Sequence, residues 1–92
     1  MIKCGPYTTV GTYETYVGGM TFSTVDLIIT GTIDVTLEYS SGGVWTGYAG
    51  IANATASTTG AQLYAIDKVR VLVNSVAGGT ATAYFTGLQD SQ

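Results

Sequence analysis

A chain of 92 residues can fill one hydrophobic core, and with one cysteine and no histidine it has neither an internal disulfide nor the ligand set of a structural zinc site. Three basic residues against six acidic ones, a net charge of −3, exclude the phosphate neutralisation that nucleic-acid binding needs. No apolar run approaches the roughly 20 residues of a membrane-crossing helix, and the start of the chain lacks a basic region followed by an apolar one, so a single domain over residues 1–92, made in the cytosol, is expected.

No segment repeats its apolar residues at helical spacing, and Thr, Val, Ile and Tyr, which favour strands, dominate. Residues 1–17, with Tyr7, Tyr13 and Tyr16 among threonines, read as an edge strand or an extended arm. After a turn at Gly18-Gly19, residues 22–30 set Val25, Leu27 and Ile29 on one face and Asp26 and Ile28 on the other, a strand expected to be covered on both sides. Residues 33–39 alternate most regularly, with Ile33, Val35, Leu37 and Tyr39 against Asp34, Thr36 and Glu38. A turn through Gly42-Gly43 leads to a hairpin partner over 44–50 that carries Trp45. Residues 53–60 are small and polar, a loop or weak edge strand before 61–66. Residues 68–74 and 80–86 alternate again and read as a second hairpin about Gly78-Gly79. The expected fold is all-β, a single antiparallel β-sandwich or small jelly roll of about seven to eight short strands.

The side-chain inventory is poor in chemistry. Without histidine, proton transfer near neutral pH falls to carboxylates, and Asp34 and Glu38, four apart on one strand, stand roughly 13 Å from each other, too far for a carboxylate pair flanking a glycosidic bond. Cys4 has no base beside it in sequence and reads as an inert thiol. The glycine pairs fit no phosphate-binding pattern, and Asn53-Ala54-Thr55, though it matches a glycosylation acceptor, lacks a secretory context. No catalytic, cofactor-binding or metal-binding residue is assigned, and no enzyme activity is expected.

The surface is more informative. Only 10% of residues are charged, against roughly 25% in an ordinary soluble domain, so Thr, Ser, Gly and Tyr must cover much of the outside. Such a surface is buried against a partner at low desolvation cost. A small domain also buries only about 60 to 65% of the surface its unfolded chain exposes, which makes self-association or docking the expected source of added stability. Tyrosine suits surfaces that are alternately wet and buried, and Tyr7, Tyr13, Tyr16, Tyr48, Tyr64 and Tyr84, with Trp45, are the candidate interface. Trp45 reads more readily as a core plug than as a sugar platform.

The run Thr36-Leu37-Glu38-Tyr39-Ser40-Ser41-Gly42-Gly43-Val44-Trp45 resembles a hairpin of small tailed-bacteriophage virion proteins, with Ser41 where Asp is frequent. Lys68-Val69-Arg70-Val71-Leu72-Val73, followed by Gly78-Gly79-Thr80-Ala81-Thr82-Ala83, is similar to the closing hairpin of the same modules. The resemblance implies a virion component: a capsid decoration protein bound to the major capsid protein, commonly as a homotrimer. The alternative it implies is a tail- or fibre-associated module that binds a host glycan or another virion protein. For a glycan, Trp45, Tyr48 and Tyr64 are the expected contacts.

Overall fold

The computed structural model describes residues 2–88, the side chains of 19–23, 62–65 and 88 excepted. The fold is all-β and antiparallel, and among the described residues there is no helix. Four strands, β1 (Ile2–Tyr7), β2 (Gly11–Ser41), β3 (Val44–Gly47) and β4 (Thr58–Leu88), pair in the order β1-β4-β2-β3. The all-β antiparallel class is as the sequence predicts and is consistent with a small β-sandwich.

The strand count differs from expectation because β2 and β4 are 31 residues long and each serves as several of the predicted short strands. The first part of β2 pairs with the first part of β4, from Gly11 opposite Val73 to Leu27 opposite Thr58. The later parts pair in turn, from Thr21 opposite Leu88 to Ser40 opposite Lys68. The middle of each long strand is therefore bonded along both edges. Residues 68–73 lie between 11–16 and 35–40, while residues 24–27 lie between 58–61 and 83–86.

Two glycine pairs read as turns are bends inside strands. Gly18 (φ 58°) lies within β2 next to a register shift, and β2 runs on through it. Gly78 (φ 77°) and Gly79 likewise lie inside β4, so 68–74 and 80–86 are one strand and not a hairpin. The glycines serve close approach. A Cβ on Gly31 would stand 2.5 Å from the Gly78 carbonyl oxygen, and one on Gly79 would stand 2.5 Å from the Thr32 carbonyl oxygen. Both long strands bend where their backbones nearly touch, a geometry that glycine alone supplies without strain.

The alternation predicted for each strand is realised in the core. Val35 and Leu37, Val69 and Val71, and Ala81, Ala83 and Phe85 are buried, while their even-numbered neighbours face outward. Residues 22–30 are not covered on both sides: Val25 and Leu27 are buried, but Asp26 is exposed and Ile28 is 46% exposed. Residues 1–17 form no detached arm from Ile2 onward, since β1 is an edge strand on β4 and 11–16 pair with 68–73. The hairpin of β2 and β3 forms as expected, with a shorter second strand. Beyond it, residues 48–57 run as a loop tied to β2 by Val35 N–H to the Ala54 carbonyl at 3.0 Å and Leu37 N–H to the Ile51 carbonyl at 3.0 Å.

Candidate functional site

Two outer faces result. The first is built on 11–16, 68–74, 34–40 and β3, where the register sets Glu14, Arg70 and Glu38 abreast in one row and Tyr16, Lys68, Ser40 and Trp45 in the next. Arg70 donates from Nε to Glu38 Oε1 at 2.7 Å, and its Nη2 reaches the same oxygen. Its guanidinium also lies 4.0 Å from the centroid of the Trp45 ring. Trp45 is thus half-buried beneath a cation rather than plugged into the core, and Arg70 fastens β3 to the sheet through a charge and a ring at once. Further along, Asn74 Nδ2 donates to Asp34 at 3.0 Å and to the Thr36 hydroxyl at 3.1 Å, and Asn53 N–H donates to that hydroxyl at 3.0 Å. Asp34 and Glu38 therefore have separate structural partners and do not converge on a shared site.

The tyrosines scatter over different environments. Tyr7 and Tyr13 stack at 4.1 Å between ring centroids and 14° between planes, and the Tyr13 hydroxyl donates to the Thr9 carbonyl at 2.9 Å. This stack closes the loop between β1 and β2 and half-buries both rings; burial, followed by the neighbouring Cys4 and Tyr13, raises the Tyr7 pKa. Tyr16 is the most open, at 75% exposure. Tyr48 is a correction to the sequence reading. Its side chain is fully buried, edge-on to Tyr39 at 5.9 Å and to Phe85 at 5.4 Å, because Tyr48 N–H bonds to the Leu37 carbonyl at 2.9 Å and turns the ring inward after β3. Among the described residues its hydroxyl has no hydrogen-bond partner, and burial pushes its pKa up to about 12. The Tyr64 side chain lies outside the described residues.

The second outer face is carried by β1, residues 80–86, residues 24–30 and the start of β4. Here Lys3, Tyr84, Asp26 and Thr59 stand abreast on neighbouring strands. The adjoining rows pair Thr82 with Ile28, Thr80 with Thr30, and Thr86 with Thr24. Thr30 and Thr80 share a hydrogen bond between hydroxyls, and Thr59 donates to Asp26 at 3.0 Å. This face is threonine-rich and nearly neutral, with Lys3 and Asp26 as its charges. Among the described residues, Tyr84 is the one predicted residue it contains. Lys3, Asp26, Ile28 and Thr82 were not singled out by sequence; the alternation of Thr80, Thr82, Tyr84 and Thr86 signals an outward row, but not which row lies beside it.

Other features carry less chemistry. Cys4 is buried, donates to the Thr15 hydroxyl at 3.6 Å, and has its pKa raised chiefly by desolvation, which keeps it a thiol. An open groove of about 430 Å³ under the 49–59 loop is lined by small residues such as Ala54, Thr55 and Ser57, with no titratable side chain among them. Comparison with protein-family models, with curated proteins and with solved structures gives no match.

Proposed function

We propose that the chain is a non-enzymatic structural protein of a tailed-bacteriophage virion that binds the capsid surface as an oligomer and stabilises it. The observation that carries this reading is the threonine-rich outer face around Tyr84, which has few charges to desolvate when another protein surface covers it. Repeated shell subunits favour such a protein, because each contact made by an oligomer raises the effective concentration of the next. The phage-like run at 36–45, which folds as the hairpin of β2 and β3, supports the virion reading, whereas 68–73 and 78–83 lie in one strand and do not form the closing hairpin of those modules.

Adhesion to a host glycan has less support. Of the three aromatics expected to contact sugar, Tyr48 is buried and Trp45 has Arg70 over its ring. The experiment is co-sedimentation of purified, folded protein with heads of the phage whose genome carries the coding sequence. Saturable binding at a fixed number of copies per head is expected. Folded protein that stays in the supernatant with mature, expanded heads contradicts the proposal.

A further inference from the structure

The face around Tyr84 is nearly neutral, but its two charges are arranged with respect to one another. Lys3 and Asp26 lie on the two strands that flank the Tyr84 segment, each about 4.8 Å from it. Both are exposed. Among the described residues neither has an ion-pair partner, and Asp26 accepts a hydrogen bond from Thr59 alone. In the adjoining row Ile28 is 46% exposed on one flank, and on the other the register of β1 shifts between Cys4 and Tyr7, where exposed Pro6 lies.

We infer that this face takes a second copy of the chain, related by a two-fold axis that runs along residues 80–86 in the plane of contact. Rotation about that axis exchanges the flanks. Lys3 of each copy then lies over Asp26 of the other, with Tyr84 over Tyr84 at the centre. Ile28 of each copy lies over the β1 bulge at Pro6 of the other, apolar on apolar. A two-fold axis through Tyr84 across the strands would instead set Lys3 over Lys3 and Asp26 over Asp26. The charges therefore select one of the two in-plane arrangements, and an isologous contact needs only this one patch.

The patch spans about 20 by 20 Å from strand spacing and rise, below the roughly 800 Å² per partner of a standard interface. The dimer is accordingly of the small, transient class, and it leaves the edges of β1 and β3 available for cyclic association. The inference deepens the self-association within the proposed function: the second copy and the shell compete for this one face, so the dimer is the form free in solution and opens where the face meets the shell.

Sedimentation velocity over a concentration series at low salt tests it, with Lys3→Glu and Asp26→Lys as variants and circular dichroism to verify folding. Wild type is expected to pass from monomer to dimer with concentration. Each variant alone brings like charges together and should associate at least about tenfold more weakly. An equimolar mixture of the two variants restores both opposite-charge pairs, since the introduced glutamate of one copy faces the introduced lysine of the other and the native Asp26 faces the native Lys3. The mixture should dimerise again. A wild type that stays monomeric, or folded variants whose mixture associates no better than either alone, overturns the inference. If all three associate alike, another surface is used, and shell binding stands or falls separately.

Discussion

The two outer faces are made from the same two long strands yet use their side chains in different ways. On the face of Arg70, charge is turned inward on the molecule: one guanidinium holds Glu38 and covers Trp45, and Asn74 ties Asp34 and Thr36 together. On the face of Tyr84 the polar groups are mostly hydroxyls, and the charges have no intramolecular ion-pair partner among the described residues. The difference teaches that polar residues of similar exposure divide into those that hold β3 and its loop in place and those that do not, and the second group is the one the proposed function uses.

The strongest way to break the comparison is to break the bend that lets one strand serve both faces. Gly79→Ala sets a methyl group against the Thr32 backbone, where no side chain can give way, and should cost about 3 kcal/mol or more in urea unfolding. Next in size is alkaline unfolding. Tyr48 ionises only near pH 12 when folded and near 10 when unfolded, so above pH 10 the unfolded state loses the proton first. Stability is then full below pH 10 and should fall by about 2–3 kcal/mol between pH 10 and 12. Tyr48→Phe should flatten that slope, and at neutral pH it should leave stability unchanged or raise it by about 1 kcal/mol, since the hydroxyl it removes has no partner among the described residues.

Arg70→Ala sharpens the contrast between faces. It uncovers Trp45 and leaves Glu38 without its cation, at an expected cost of about 1–2 kcal/mol, read with a shift in tryptophan fluorescence. Smallest of all, Thr82→Ser on the other face should change stability by less than about 0.5 kcal/mol, because it faces outward and holds nothing in place. A large loss there would mean that the Tyr84 face also supports the fold.

Much of the fold is legible where interactions are local. The β2–β3 hairpin follows from alternation in 33–39 and the glycines at 42 and 43, and the buried valines of 68–74 follow from period two. What is not legible arises at long range. Residues 24–30 lie beside 80–86 across some fifty positions of sequence, so nothing near Ile28 says that its outer side stays open. Gly78 and Gly79 have the composition of a turn, and only the approach of Gly31 and Thr32 makes them a bend. Tyr48, set between Gly47 and Gly50, has the sequence of an exposed loop residue, but the hydrogen bond to Leu37 directs it into the core.

The central claim, that the Tyr84 face is the working surface and the Arg70 face is the frame, is tested most directly by co-sedimentation with phage heads using one substitution from each. Ile28→Asp should abolish binding while the protein remains folded, and Glu14→Lys should bind as wild type. Retained binding by Ile28→Asp together with loss by Glu14→Lys would contradict the assignment of the two faces.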